Sequence, residues 1–169
     1  MIGFQFEVSG VKQVTRMLAL SADACKNLRP VWDDVYDDFL DREEDVFDSE
    51  GGSGSKPREM GGGAWGGWAP LSPTYAAQKA ADGFGNRILV RTGRLKASLT
   101  SRGAGSVFRS DAKSMAVGTS VPYAGYHQTG TRKMPKREPI RVSEAAVRHW
   151  TRLIQKFVLE SGQFQRENL

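Results

Sequence analysis

Few residues in this 169-residue chain are able to do nucleophilic, acid–base or metal chemistry. It has one cysteine, Cys25, and two histidines, His127 and His149. A structural zinc site needs about four ligands, so these three residues cannot fill one alone. No carboxylate lies near His127 in sequence to orient it as a general base, and such a histidine more often packs and forms hydrogen bonds. The sequence therefore predicts no catalytic, cofactor or metal site, and a protein that is not an enzyme.

Cysteine content and hydropathy predict where the chain works. A single cysteine excludes an intramolecular disulfide, which fits a reducing cytoplasm. No run of about 18 apolar residues is present, so we expect no membrane-spanning segment. The N-terminus lacks a basic segment followed by an apolar stretch, and we expect no signal peptide.

Charge is distributed unevenly along the chain. Residues 1–50 carry 5 Lys and Arg against 12 Asp and Glu, whereas residues 51–169 carry 19 against 7. This asymmetry indicates charged partners, either nucleic acid or a second copy of the chain. The basic residues include two groups: Arg87, Arg91, Arg94 and Lys96, and then Arg132, Lys133, Lys136, Arg137 and Arg141. Such groups could contact phosphates without regard to base sequence, but no helix-turn-helix, zinc finger or RNA-binding signature accompanies them.

The N-terminal part predicts a strand followed by two helices. Apolar side chains alternate over residues 2–8, which is typical of a short strand with one buried face. The apolar period changes to three and four from Val11, and this indicates helices over residues 11–25 and 28–41. The second helix has an acidic opposite face. That face is either simply solvated or a docking surface for a basic neighbour.

Residues 51–67 hold eight glycines and predict a long flexible loop. A loop of this length is more often functional than a simple connector. We hypothesise that it becomes ordered only against a partner.

The C-terminal part predicts short helices, a hairpin and one long helix. Ser72 suits the cap of a helix that runs to about residue 81, and Thr92 suits the cap of a helix with Leu95 and Leu99. Apolar runs near residues 106–109 and 114–118 indicate a β-hairpin. A helical turn follows over 123–129, and Ser143 caps a helix that ends near residue 160, before a tail over 161–169. We therefore predict a single α+β domain over residues 1–169 with a small antiparallel sheet.

Several short motifs occur in one order between residues 65 and 142. They are Trp68-Ala69-Pro70-Leu71, Ile88-Leu89-Val90-Arg91-Thr92-Gly93-Arg94-Leu95-Lys96-Ala97-Ser98-Leu99, Val117-Gly118-Thr119, Tyr123-Ala124 with His127-Gln128-Thr129-Gly130, and Pro135-Lys136-Arg137-Glu138-Pro139. Together they resemble the virion-morphogenesis family of tailed phages. One departure is Arg137-Glu138-Pro139-Ile140, where the family often has Arg-Pro followed by an aromatic and an aliphatic residue.

The resemblance implies a virion protein without catalytic activity, most often a sixfold ring at the neck, where DNA passes between head and tail. It implies connector, stopper, tail-terminator or tail-tube proteins as partners. The motif residues are then structural positions that build the fold: Trp68, Pro70, Leu71, Thr92, Gly93, Arg94, Leu95, Tyr123, His127, Gln128, Gly130, Arg137 and Pro139.

The charge asymmetry adds a hypothesis about how a ring would close. Acidic Asp37, Asp38 and Asp41 of one subunit would face a basic segment of the next, and a head-to-tail contact of this kind closes if its rotation permits. The basic candidates are Arg132, Lys133, Lys136 and Arg141. A tail terminator or minor tail protein is one alternative. A nucleic-acid-binding accessory protein, which binds DNA without sequence preference, is another.

Overall fold

The computed structural model describes residues 11–52 and 66–164 of the chain. Within these residues there are six helices and one two-stranded antiparallel sheet, so the predicted α+β class is confirmed. In chain order they are α1 (Val11–Ala24), α2 (Arg29–Asp48), α3 (Pro73–Ala81), α4 (Arg94–Thr100), β1 (Ser106–Ser110), β2 (Met115–Thr119), α5 (Ala124–Thr129) and α6 (Glu144–Phe164). The strand predicted at residues 2–8, most of the glycine-rich loop (53–65) and the end of the tail (165–169) lie outside the described residues.

Helix α2 is the centre of the core. Its first turn contains Pro30, and proline is tolerated there because N–H groups in the first turn of a helix have no acceptor within the helix. The apolar side chains of α2 recur at three- and four-residue spacing. The buried apolar residues of α2 are Val31, Trp32, Val35, Tyr36, Phe39, Leu40, Val46 and Phe47. Burying each large side chain contributes about 1.5–3 kcal/mol, so this face holds α2 against its neighbours α4, β1 and α6.

The hairpin forms where the sequence predicts it and packs across α2. Phe108 pairs with Val117 in the register of β1 and β2. The Asp111 side chain accepts hydrogen bonds from the backbone N–H groups of Lys113 and Ser114, both at 2.7 Å, and so closes the turn. Two strands are barely stable alone. Here the Phe108 ring stacks on Tyr36 of α2, with centroids 4.4 Å apart, and this contact supports the sheet.

Helix α6 lies against both N-terminal helices. Ser143 accepts the Ala146 N–H at 3.0 Å, so the predicted cap is confirmed. The Trp150 indole N–H donates to Asp38 of α2 at 2.6 Å, and α1 packs along α6. The helix continues to Phe164, beyond the predicted end near residue 160. None of the described helices combines the length and apolar character needed to cross a bilayer.

The start of α4 differs from the prediction. Gly93, not Thr92, is the capping residue, and no side chain caps this helix. Gly93 has φ +78°, a left-handed conformation that glycine adopts without steric cost. The chain therefore turns into the helix at Gly93, and the Gly93 carbonyl accepts the first helical N–H from Ala97 at 2.8 Å. The prediction that Thr92 caps α4 is wrong, whereas Ser72 does cap α3 by accepting the Tyr75 N–H.

Glu43 of α2 is an ionisable residue buried in this structure, with 1% of its surface exposed. Its carboxyl group accepts one hydrogen bond from the Arg141 backbone, while Oε2 is buried and has no hydrogen-bond partner among the described residues. Burial raises the pKa of Glu43 well above its ordinary value, because the charged form is poorly solvated there. The Arg141 hydrogen bond opposes this only in part. Glu43 is therefore neutral over a range of pH where exposed glutamates are charged.

We predict that Glu43→Gln removes part of the pH dependence of folding. The folded pKa is raised, so the stability contributed by Glu43 is complete below its unfolded pKa of about 4.3 and is lost as pH rises through the folded pKa. The variant should therefore gain stability relative to the natural chain as pH increases from about 4 upward. Urea unfolding at a series of pH values measures this.

The control for this experiment is Glu44→Gln, which makes the same change on the exposed face of α2. The same pH series is measured for both variants, and the change in pH dependence should be larger for Glu43→Gln than for Glu44→Gln. Equal changes in the two variants would contradict the burial argument.

Candidate interaction groove

Residues 137–141, here called the strap, are tied to a segment some 70 positions earlier. The Arg137 Nε and Nη2 groups donate to the carbonyls of Ala69 and Pro70 at 2.6 and 2.8 Å. In the other direction, the Trp68 indole N–H donates to the Glu138 carbonyl at 2.8 Å. Each side of the pair thus satisfies backbone acceptors of the other, and buried acceptors need such partners.

The same strap is also bound to α5. The Gln128 amide nitrogen donates to the Ile140 carbonyl at 2.9 Å, and its amide oxygen accepts the Ile140 N–H at 3.2 Å. The backbone N–H of Arg137 donates to the His127 carbonyl at 2.9 Å. Gln128 therefore imitates one rung of a strand pair and fixes the distance between α5 and the strap.

Trp68 joins the strap to the end of α2. It is 5% exposed, and its ring meets Phe47 edge to face, with centroids 5.3 Å apart. Gly51, at φ +81°, lies directly against the indole, and a Cβ at this position would come within 2.4 Å of the ring. The backbone can approach so closely only because Gly51 has no side chain. The Arg141 guanidinium donates to the Gly51 carbonyl at 3.2 Å and completes the connection.

Two further turns shape the same region. Gly130 ends α5 at φ +74°, and a Cβ there would lie 2.9 Å from the Lys136 nitrogen. Pro139, in the middle of the strap, is fully buried. That the motif residues are structural positions stays a prediction, and the contacts above describe where these residues lie.

These elements line an open groove with a volume of about 930 Å³. Its lining comes from four of the five sequence motifs, since only Val117-Gly118-Thr119 is absent. The lining residues are Pro70, Leu71, Ser72, Pro73, Tyr75, Lys79, Leu89, Val90, Arg91, Thr92, Gly93, Arg94, Leu95, Tyr123, His127, Lys133, Met134, Pro135 and Arg137. The structure therefore brings together residues that are separated by more than 60 positions in the chain.

The groove is apolar at its base and positively charged. Its lining contains five Lys and Arg residues but no Asp or Glu. Lys79 is only 2% exposed and its ammonium group donates to the Arg87 carbonyl, and Arg137 is 7% exposed. Burial lowers the pKa of both residues. At Lys79 the charge of Glu50 opposes this effect in part and the charge of Arg91 adds to it.

The other charged residues of the lining differ in their partners. Arg91 pairs with Asp82 at 3.0 Å and lies over the Phe84 ring. Arg94 and Lys133 are exposed and form no ion pair with any described residue. The groove therefore has an excess of positive charge that its own residues leave without a counter-charge.

His127 lies at the wall of the groove and packs edge to face against Tyr123, with centroids 6.1 Å apart. Its Nδ1 atom is buried and has no hydrogen-bond partner among the described residues. Burial, and then the charge of Arg137, lowers the pKa of His127, so the ring is neutral at neutral pH. In residues 11–52 and 66–164, no group of three or more His, Cys, Asp and Glu is placed to hold a metal ion.

Some of the predicted charged interface residues have charged partners within the chain, and the others are simply exposed. Asp37 forms an ion pair with Arg102 at 2.7 Å, and Asp38 is half-buried between Arg42 and Trp150. Asp41 is exposed on α2. On the basic side, Lys136 and Arg141 both pair with Glu138. Arg132 and Lys133 are exposed on the loop that follows Gly130.

The sequence reasoning missed two features of the groove. Lys79 occurs in a run of alanines and glutamine, which gives no sign that its side chain is buried. Leu89 has φ +59°, an uncommon conformation for a large L residue, and only the Gly93 turn nearby hints at an irregular backbone.

The chain was compared with protein families, curated proteins and solved structures. Residues 10–156 match the model of the phage virion morphogenesis family. The match covers more of the chain than residues 65–142, where the motifs lie, and it includes α1 and α2. No curated protein and no solved structure matches the chain.

We predict that Gln128→Glu destabilises the fold. The glutamate keeps the size of the side chain but replaces the donor to the Ile140 carbonyl with an acceptor, so two oxygens face each other. The expected loss is about 1–3 kcal/mol of unfolding free energy, measured by urea titration. Gln155→Glu makes the same change on the exposed face of α6 and should cost less than about 0.5 kcal/mol. Equal losses in both variants would show that the Gln128 contact does not hold the strap.

Proposed function

We propose a place in the tailed-phage particle for this chain, which belongs to the phage virion morphogenesis family. Membership in the family indicates that the chain is associated with the virion and has a structural or assembly role. Within that role, we propose a ring subunit that completes the tail or joins it to the head. The ring would surround the passage that DNA takes through the neck, and the chain would have no catalytic activity there.

The observation that supports this proposal is the set of hydrogen bonds that the motif residues form. Trp68, Arg137 and Gln128 donate hydrogen bonds to backbone carbonyls and hold three distant segments together. Side chains that serve a reaction would instead converge on a substrate position. The motif residues support a rigid subunit, which is what a load-transmitting joint between two assemblies requires.

The ring contact is proposed between Asp41 on one subunit and Arg132 on the next. Asp37 and Lys136 have partners within the chain. The Asp37–Arg102 pair is exposed, and such pairs exchange partners at little cost, whereas Glu138, the partner of Lys136, is half-buried. Asp38 and Arg141 are held more firmly, because both are half-buried and hydrogen-bonded. Complementary charge of this kind sets the register of the contact more than its affinity.

Binding to DNA as the main activity receives less support from the structure. Arg87 and Lys96 both form ion pairs with Asp48, and Arg91 pairs with Asp82. These cations do not form a row of free charges along which a phosphate backbone could lie.

We predict that particles made without this protein contain full heads and finished tails that do not join. The physical reason is that a missing joint leaves each assembly with its own interface exposed and no complementary surface. Negative-stain imaging of the lysate measures this. Tails of irregular length would instead indicate a tail terminator, and normal infectious particles would contradict the proposal.

We predict that Asp41→Lys weakens the subunit contact and that Arg132→Glu, combined with it, restores assembly. The double variant exchanges the two charges and keeps their attraction. Light scattering of the purified protein measures the mass of the assembly. For a protein that is monomeric in isolation, incorporation into particles is measured instead. A double variant that assembles no better than Asp41→Lys would contradict a contact between these two residues.

A further inference from the structure

We propose that the groove binds an extended segment of another virion protein, one that presents apolar side chains beside a carboxylate. This inference rests on the proposed function in one respect only, namely that the partner is sought in the same particle. It adds a binding site for a second protein to the contact between copies described above.

The apolar base of the groove is suited to side chains of a partner. Leu71, Leu89, Val90 and Met134 are only half-buried, although they lie on the inner wall. Tyr75 and Tyr123 remain 41% and 39% exposed at its edges. Tyrosine is enriched at protein interfaces, because it combines a large apolar ring with a polar group. A partner that covers these residues would remove apolar surface from water.

The charge of the groove selects the polar part of the partner. Lys79 and Arg137 are buried and donate hydrogen bonds to carbonyl groups, and the carboxylate that acts on Lys79, Glu50, lies outside the lining of the groove. Arg94 and Lys133 stand at the rim without an ion pair to any described residue. Positive charge in a concave, weakly polar site attracts an anion more strongly than the same charge on a flat surface. A carboxylate is the anion that a protein segment supplies.

The shape of the groove is held in place before any partner binds. The backbone at Leu89 keeps φ +59°, and such uncommon conformations persist where the surrounding structure determines them. The opposite wall is fixed by the bonds of Arg137 to Ala69 and Pro70. A preformed site loses less entropy on binding than a flexible one, which favours a short segment as the occupant.

Two other occupants fit less well. Phosphates of duplex DNA are contacted by exposed Arg and Lys, whereas Lys79 and Arg137 are buried. On a second copy, Val147 and Leu159 are exposed apolar residues of α6 that lie next to carboxylates. Those carboxylates, Glu144 and Glu160, belong with both apolar residues to a helix that packs against α1 and α2 of its own chain, so a second copy presents no extended segment there.

The test uses the full chain and short overlapping peptides that cover all proteins of the particle, including this chain itself. Binding is measured by fluorescence anisotropy of the labelled peptides. The expected result is that the bound peptides come from another virion protein and carry Asp or Glu between apolar residues. Their affinity should fall with rising salt, because the contact is partly electrostatic.

The site is assigned with two groove variants and one matched control. Tyr75→Ala and Arg94→Glu change exposed residues of the lining and should each weaken binding about tenfold. Arg152→Glu reverses an exposed charge on α6, outside the lining, and should leave the affinity unchanged. Thermal unfolding followed by circular dichroism verifies that all three variants remain folded.

Three results would overturn the proposal: binding only to peptides of this chain, no binding to any peptide, or equal binding by the natural chain and both groove variants. Displacement of bound peptide by a duplex oligonucleotide, with the same loss in Arg94→Glu, would assign the groove to nucleic acid instead. These outcomes are independent of the imaging experiment. Unjoined heads and tails together with a negative peptide screen would leave the proposed function in place and remove only the groove partner.

Discussion

The hydrogen bond between the Trp68 indole and the Glu138 carbonyl is the contact on which the C-terminal part of the structure depends. Trp68 is packed against Phe47 at the end of α2, so this bond connects the main core to the strap. Arg137 and Gln128 then extend the connection to residues 69–70 and to α5. The groove exists because these segments are held apart at fixed distances.

The parts of the fold that could be predicted from sequence are those with local signals. Ser72 and Ser143 cap helices through side chains only three residues from their partners, and the hairpin turn is closed by Asp111 within its own loop. The start of α4 was mispredicted, because Thr92 is a good capping residue by type while the adjacent Gly93 takes the left-handed conformation that sets the boundary. The left-handed turn at Gly93, and not the capping preference of threonine, determines where α4 begins.

The groove itself could not be predicted, because it arises from contacts over long distances in sequence. Nothing near Lys79 or Glu43 indicates burial, and both side chains are enclosed by residues that only the fold brings together. The order of the motifs does predict the family, which the match over residues 10–156 confirms. It could not show that Trp68 is buried in the core while Leu71, three positions later, packs against the core and also lines the groove.

The hydrogen bonds that hold the strap differ in what their donors and acceptors are. This difference determines which residues of the chain tolerate substitution. In the bonds that join the strap to residues 68–70, each donor is a particular side chain, Trp68 or Arg137, and each acceptor is a main-chain oxygen. Every amino acid carries that oxygen, so replacements at Ala69 or Glu138 keep the acceptor, whereas Trp68 and Arg137 have no substitute of equal reach. Over evolution, Trp68 and Arg137 should therefore stay unchanged while the residues between them accumulate substitutions.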